Sequence, residues 1–165
     1  MDLHEALYTT RAMRRVTDQP VPDEIRAKIL DAAIRAPTGG NAQNWRFVMV
    51  DDPELIGRIA PVYRRCLDEL WTGFYADRVA AAKAEPDSSS SRDFRRMQRS
   101  ADWLGDNFAI VPLLLFGFIQ HDPTGGSIYP AVWSAQLAAR AEGVGSSLTS
   151  VLMFAGDEVP DLLEV

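Results

Sequence analysis

The sequence is poor in the residues from which proteins usually build nucleophilic or metal sites. It has one cysteine, Cys66, and two histidines, His4 and His121. A single cysteine excludes an intramolecular disulfide framework and any multi-thiolate metal site, and two histidines leave little material for a zinc centre. The phosphate-loop, HExxH and GxSxG motifs are also missing. We therefore expect no metal site, and we interpret Cys66 as a buried, inert thiol in a helical stretch.

A basic surplus and long apolar runs are missing as well. The chain has 17 basic against 23 acidic residues, a net charge of −6, which argues against a general nucleic-acid binder. The longest apolar run, residues 108–119, contains Pro112 and is too short to span a bilayer as a helix. The N-terminus lacks the basic region and apolar stretch of a targeting signal. We expect a cytoplasmic protein without nucleic-acid or membrane partners.

The residues that are present favour one α+β domain. A length of 165 residues is typical of a single domain, and 47% hydrophobic residues can form a core. Apolar periodicity and turn residues predict helices over residues 2–8, 22–36 and about 54–84, bent near Pro61, and another that Ser127 caps and Gly143 ends. Strands are predicted over residues 45–50, 108–119 and 146–152, the second buried on both faces, and a last helix opens at Asp157.

Residues 85–100 interrupt this pattern with a run of serines followed by arginines. They are interpreted either as a mobile, solvated connection or as a lid whose basic residues lie near a ligand mouth. The arginines concerned are Arg92, Arg95, Arg96 and Arg99.

Three polar clusters could bind a ligand. The first is Arg11, Arg14 and Arg15; Arg11 and Arg14 lie three residues apart and could share a helical face, which would suit a phosphate. The second is the loop 37–44, where glycines expose backbone N–H groups and two amides supply both donors and acceptors, as a heterocycle with alternating N–H and C=O edges requires. The third is Ser146, Ser147, Thr149 and Ser150 on the last predicted strand. Solvated arginines and ordinary strand residues remain the alternative interpretation of the first and third clusters.

Three segments, in this order, resemble the FMN-dependent nitroreductase family. Residues 10–16, Thr-Arg-Ala-Met-Arg-Arg-Val, with the Pro-Val-Pro at 20–22, are similar to the family's N-terminal element. Residues 36–47, Ala-Pro-Thr-Gly-Gly-Asn-Ala-Gln-Asn-Trp-Arg-Phe, are similar to its Ala-Pro-Ser-Gly-x-Asn-x-Gln-Pro-Trp-x-Phe. Residues 137–146 match the helix that ends in Gly-Leu-Gly-Ser. The resemblance covers the whole chain.

The resemblance implies a three-layer α+β fold, with a mostly antiparallel central sheet flanked by helices, in an obligate-type homodimer with flavin at the subunit interface. It places Arg11, Ala12 and Arg14 at the FMN phosphate and ribityl chain, and Thr38, Asn41 and Gln43 where the loop meets the flavin. Thr149 and Ser150 fall where a backbone amide approaches the flavin N5 edge. Residues 63–103 correspond to the variable excursion that caps the substrate, with Trp71 and Phe74 as lid residues at an interface.

The resemblance also implies the chemistry. Tightly bound FMN would accept electrons from NAD(P)H and pass them, in a ping-pong mechanism, to a nitroaromatic, quinone or related electrophile, without a catalytic side chain. Two alternatives remain open: a non-catalytic flavin-binding or flavin-sequestering protein, and a same-fold enzyme with different chemistry, such as reductive dehalogenation or flavin fragmentation.

The sequence departs from the family pattern in three places. Ala12 replaces the usual serine and Asn44 the usual proline. Family chains normally continue for several tens of residues beyond the position of Val165, with a final strand and basic residues that reach the FMN phosphate. We therefore expect a single domain over residues 1–165 that lacks this C-terminal arm.

Overall fold

Seven α-helices and two β-strands form in the computed structural model, which describes all 165 residues. They are α1 (Leu3–Thr9), α2 (Asp23–Ala33), β1 (Trp45–Val50), α3 (Pro53–Thr72), α4 (Ala76–Ala84), α5 (Ser89–Asp106), β2 (Leu114–Ile119), α6 (Ile128–Ala141) and α7 (Glu158–Leu163).

The chain divides into two compact units. Unit 1 comprises Met1–Met13, Asp18–Asp51 and Pro112–Leu148, and unit 2 comprises Arg14–Thr17, Asp52–Val111 and Thr149–Val165. The interpretation of residues 1–165 as one domain stays a prediction. No helix is both long enough and apolar enough to cross a membrane.

Unit 1 is built on a two-stranded antiparallel sheet. Strands β1 and β2 pair so that Trp45 lies opposite Ile119 and Val50 opposite Leu114. Helices α2 and α6 pack together through buried small and branched residues, and side chains of both strands pack against this cluster. The cluster consists of Ile29, Ala33, Ala135 and Ala139, with Phe47, Met49 and Leu115 from the strands. Alanine at three of the four positions lets the helices approach closely.

The first predicted strand and helix α1 are confirmed, while the second strand needs correction. It begins at Leu114, after Pro112, because residues Phe108–Ile110 form a 3₁₀ turn. Its residues are half-buried or exposed, so the prediction of burial on both faces is wrong. A proline cannot donate to a sheet ladder, which explains why pairing starts beyond it.

Helix α6 ends as expected but begins differently. Gly143 has φ +80°, and Val144 N donates to Ala139 O at 2.8 Å, which is the left-handed helix ending expected for glycine. Ser127 precedes the helix, but its side chain makes no capping bond. Instead, the Asp122 carboxylate accepts from Ser127 N at 3.0 Å and from Ile128 N at 2.9 Å.

Unit 2 is helical, and its helices break at a different place from the predicted one. Asp52 caps α3 by accepting hydrogen bonds from the N–H groups of Glu54 and Leu55. The helix then runs through Pro61 and ends at Gly73, whose φ of −105° and ψ of −96° are not helical. The predicted stretch 54–84 is therefore two helices, separated at the glycine because glycine has the least backbone restriction.

The interpretation of residues 85–100 as a mobile, solvated connection is wrong, because the residues from Ser89 onward form helix α5. Ser88 accepts a hydrogen bond from Ser91 N at 3.1 Å and so caps α5. Phe94, Ala101 and Leu104 lie buried along one side of this helix. Apolar residues are few here, and serine and arginine dominate the segment, so its helical periodicity was masked.

The third predicted strand, residues 146–152, is also wrong. Residues 146–150 have no regular secondary structure, and Val151–Ala155 form a 3₁₀ turn. The hydroxyl of Thr149 accepts from Val151 N at 3.3 Å, a local bond that competes with strand pairing. The final helix, α7, follows Asp157 as expected.

Candidate functional site

The loop between α2 and β1 brings three predicted flavin-binding residues together in unit 1. Thr38 Oγ1 accepts from Gln43 N at 3.2 Å, and Asn41 Oδ1 accepts from Gln43 Nε2 at 2.7 Å. Gly40, Asn41 and Gln43 have φ of +58°, +54° and +47°, in the left-handed region. The loop is therefore held by its own side chains, with Asn41 and Gln43 exposed to solvent.

Ser127, which was predicted to cap a helix, anchors this loop. Ser127 is 8% exposed, and its Oγ accepts from Gly39 N at 3.2 Å. Asn44, which replaces the family's proline, donates through Nδ2 to Gln120 O at the end of β2. A cavity of about 480 Å³ opens here and is lined by Gly39, Asn44, His121 and Asp122, among others. Gly39 and Ser127 are 88 residues apart in the sequence, so no local sequence pattern could reveal their contact.

The N-terminal arginines do not share a helix. Residues 10–17 have no helical structure, so the prediction that Arg11 and Arg14 lie on one helical face is wrong. In unit 1, Met13 N donates to Ser146 O at 2.9 Å. A Cβ at Gly145 would lie 3.1 Å from the Met13 side chain, so glycine at this position allows the two segments to approach closely. Arg11 and Ala12 next to this contact are exposed.

In unit 2, Thr149 meets a buried tyrosine that sequence reasoning placed only at the start of the excursion. Tyr63 is 2% exposed, stacks on Phe108 at 4.2 Å between ring centroids, and lies with its Oη 3.3 Å from Thr149 Oγ1. Burial raises the pKa of the Tyr63 hydroxyl, while the Thr149 bond and the positive charges of Arg14 and Arg64 act in the opposite direction. Arg14 and Thr149, far apart in sequence, therefore both oppose the effect of burial on the pKa of Tyr63. Ser150, which follows Thr149 in the chain, is exposed.

The two predicted lid residues have opposite environments within unit 2. Trp71 is 8% exposed, donates from Nε1 to Asp102 Oδ1 at 2.8 Å and packs against the rings of Tyr75 and Phe94. Phe74 is 79% exposed. Only Phe74 therefore presents a free apolar ring, and the lid role of both residues stays a prediction.

Cys66 is fully buried in α3, and burial raises the pKa of its thiol. A thiol that stays protonated is a poor nucleophile, as expected for an inert core cysteine.

The arginines of α5 are mostly exposed to solvent. Arg92, Arg96 and Arg99 lie exposed along the helix. Their role near a ligand mouth stays a prediction.

A second cavity, of about 750 Å³, lies between α3 and α7 in unit 2. It contains none of the predicted site residues. Its lining residues are Arg58, Pro61, Val62, Arg65, Glu158, Asp161 and Leu162. The larger volume of this cavity therefore does not identify it as the functional site. The loop 38–43 and the contact between Tyr63 and Thr149 contain the predicted site residues.

Comparison with known proteins identifies the family. The model of the nitroreductase family matches residues 7–165. An NADH dehydrogenase of Thermus thermophilus is 43% identical over 53 residues, or 32% of this chain and 26% of that protein. A 5,6-dimethylbenzimidazole synthase of Rhodospirillum rubrum is 29% identical over 90% of this chain and 69% of its own length.

The fold agrees with these matches. A BluB-like flavoprotein of Clostridium difficile 630 has a solved structure with a TM-score of 0.69 and 26% identity, over 99% of this chain and 81% of that chain. The alignments with the Thermus NADH dehydrogenase and with two NAD(P)H nitroreductase-like proteins, of Methanothermobacter thermautotrophicus and Archaeoglobus fulgidus, span only between 26% and 33% of those proteins' lengths. Helices with a small antiparallel sheet, and a family match over nearly the whole sequence, show that this chain belongs to the nitroreductase family.

Proposed function

We propose that this protein binds FMN and uses it to pass electrons from NAD(P)H to a small electrophilic acceptor. The observation that carries the proposal is the loop 38–43, in which Thr38, Asn41 and Gln43 are joined by hydrogen bonds in a chain of the nitroreductase family. FMN would supply the redox chemistry, and the protein would bind and orient it.

The donor set of the chain fits such a cofactor. Arg11 and Arg14 form no salt bridge, so their guanidinium groups are available to a phosphate. Four other arginines are already paired with carboxylates, namely Arg26, Arg35, Arg64 and Arg65. The exposed amides of Asn41 and Gln43 offer donors and acceptors of the kind that a flavin's alternating edge needs.

The electron donor and the acceptor are the remaining parts of the proposal. The Thermus relative is named an NADH dehydrogenase, which supports a nicotinamide donor. We propose nitroaromatics, quinones and related electrophiles as acceptors, reduced after the oxidised donor leaves. The test is anaerobic mixing of the FMN-loaded protein with NADH or NADPH. Bleaching of the flavin, followed by its recovery on addition of an acceptor, is the expected result, and a flavin that stays oxidised with both donors would contradict the proposal.

A second candidate is a same-fold enzyme that fragments its flavin. It is favoured by the alignment with the 5,6-dimethylbenzimidazole synthase, which spans 90% of this chain. The two candidates differ in the fate of the flavin. An oxidoreductase regenerates its FMN, whereas a flavin-fragmenting enzyme consumes FMN as its substrate. Chromatography of the flavin after many turnovers separates them: intact FMN supports the oxidoreductase, and loss of FMN in step with donor oxidation supports the alternative. A yellow protein that oxidises no donor with any acceptor would instead favour a flavin-sequestering role.

We also propose that the protein works as a homodimer. Tyr129 and Trp133 lie four residues apart on α6 and are 48% and 42% exposed, so two aromatic rings face outward on one side of a helix. Aromatic residues are enriched at protein interfaces. Sedimentation of the FMN-loaded protein should give the mass of a dimer, and a monomer with FMN bound would contradict this part of the proposal.

The contribution of Arg14 can be measured separately. Arg14→Ala should weaken FMN binding by about 1.5–3 kcal/mol, the usual value for a hydrogen bond to a charged group. Arg35→Ala is the matched control, because Arg35 is exposed and already paired with Asp31. Equal FMN affinity in the two variants would remove Arg14 from the proposed site.

A further inference from the structure

We propose that Tyr63 is a positioning residue, whose hydroxyl holds Thr149 and the start of the 3₁₀ turn that follows it in the conformation that the flavin site requires. The inference rests on the proposed function, since Thr149 is assigned to the flavin there. It concerns unit 2 alone, which contains Tyr63, Thr149, Val151 and Arg14.

The position of the Tyr63 hydroxyl is well defined. The residue lies in the middle of the 20-residue helix α3, and its ring stacks on Phe108 at 4.2 Å with an angle of 23° between the planes. Only 2% of its surface is exposed. A buried phenol normally needs a hydrogen-bond partner, and Thr149 Oγ1 at 3.3 Å is the one that this hydroxyl has.

Thr149, by contrast, has no regular secondary structure of its own. It lies just before the turn Val151–Ala155, which packs against α3 and begins with the buried Val151. Thr149 is exposed, and its Oγ1 also accepts from Val151 N at 3.3 Å. The threonine hydroxyl therefore connects two groups, the helix-borne phenol and a backbone N–H of the turn. Through this hydroxyl, a fixed point on α3 restrains the start of the turn.

The surroundings of the phenol keep it in the neutral form. Burial raises the pKa of the hydroxyl, so it carries its proton at neutral pH. The charges of Arg14 and Arg64 are the positive groups that act on it.

Removing one oxygen tests the inference without removing the ring. Tyr63→Phe keeps the stacking on Phe108 and deletes only the hydroxyl. Tyr75→Phe is the matched control, because Tyr75 lies in the same unit, its ring packs on Trp71, and its hydroxyl makes no hydrogen bond with the protein. We expect Tyr63→Phe to weaken FMN binding about threefold to tenfold, as for loss of one neutral hydrogen bond, and to shift the flavin absorption spectrum. Tyr75→Phe should change neither.

Thr149 provides the second half of the test. Thr149→Val should cause at least the loss of affinity caused by Tyr63→Phe, because it also removes the acceptor of Val151 N. Adding Tyr63→Phe to Thr149→Val should cause no further loss, because the bond between the two hydroxyls is already gone. Thr149→Ser keeps the hydroxyl and should retain most of the affinity. Fully additive losses would overturn the proposed connection.

Hydrogen exchange of the flavin-free protein gives a readout that does not depend on FMN. The Val151 amide should exchange several-fold faster in Tyr63→Phe than in the wild type or in Tyr75→Phe. If the wild type binds no FMN, the proposed function fails, whatever the exchange rates. If the wild type binds FMN, and Tyr63→Phe changes neither FMN affinity, spectrum nor Val151 exchange, the positioning role fails while the proposed function stands.

Discussion

Unit 1 and unit 2 support their proposed flavin-binding residues in different ways. In unit 1, Gln43 bonds to both Thr38 and Asn41, so the loop is largely held by its own side chains. In unit 2, Thr149 bonds to Tyr63, a buried side chain of a long helix. We infer that substitutions in the unit 1 loop should act locally, whereas the unit 2 segment depends on residues inside the core.

The cores of the two units differ in the same sense. Helices α2 and α6 of unit 1 meet through alanines, and the buried polar contact to the loop comes from Ser127, just before α6. The core of unit 2 is rich in aromatic rings whose polar ends have partners: besides Tyr63, Trp71 donates to Asp102. Asp102 also accepts from Arg64, which bonds to Asp68 and Asp106 as well. The helical unit therefore combines apolar packing with a connected polar network.

Trp71→Ala should have the largest effect on stability. Deleting a buried aromatic side chain leaves a cavity, and here it also leaves Asp102 without its indole donor, so we expect the free energy of unfolding to fall by about 3–5 kcal/mol. Phe74→Ala is the control, since an exposed ring should change the same quantity by no more than about 0.5 kcal/mol. Urea denaturation of both variants measures the difference. Similar values for the two would contradict the contrast between a core residue and a surface residue.

Ala33→Leu tests the close approach of helices in unit 1. Ala33 is 0% exposed between α2 and α6, so a larger side chain should cost about 1–3 kcal/mol through overpacking. Ala141→Leu adds the same atoms at an exposed position of α6 and should be nearly neutral. Thermal unfolding followed by circular dichroism gives both values. Equal stability of the two variants would show that the alanine contact is not tight.

The Tyr63 hydroxyl should make stability decrease at alkaline pH. Its folded-state pKa is raised, so its contribution is fully present below the unfolded pKa of about 10 and is lost as pH rises through the folded pKa. Tyr63→Phe should therefore lose less stability than the wild type between neutral and strongly alkaline pH. Urea denaturation over this pH range is the measurement, and parallel curves for the two proteins would argue against a buried, neutral phenol.

Lys28→Met should have the smallest effect. Lys28 Nζ lies 3.0 Å from Glu142 Oε2 and 3.3 Å from Glu24 Oε1 on the surface of unit 1. Exposed ion pairs are screened by water and salt and contribute little to stability. We expect no measurable change in the urea midpoint. A loss comparable to that of Ala33→Leu would mean that unit 1, like unit 2, depends on a polar network.

The sequence predicted the elements that have strong local signals. Strand β1 was predicted at residues 45–50 because aromatic and branched residues follow a turn-rich loop, and Gly143 was recognised as the end of α6. Helix α5 was missed because its cap, Ser88, lies within a serine run that resembles a linker. The strand predicted over residues 146–152 failed because Thr149 bonds to its own segment and to Tyr63.

The candidate site shows the same division. The motif at residues 36–47 identified Thr38, Asn41 and Gln43, which the structure brings together. Ser127 and Tyr63 could not be found in this way, because each meets its partner across more than 80 residues of sequence. Such contacts depend on tertiary packing, which leaves no local pattern.

Equilibrium dialysis of the purified protein against FMN measures whether this chain binds the proposed cofactor. We expect the wild type to retain FMN, Arg14→Ala and Tyr63→Phe to retain it more weakly, and Arg35→Ala and Tyr75→Phe to equal the wild type. A colourless wild-type protein that takes up no FMN from the dialysate would show that the proposed function is wrong.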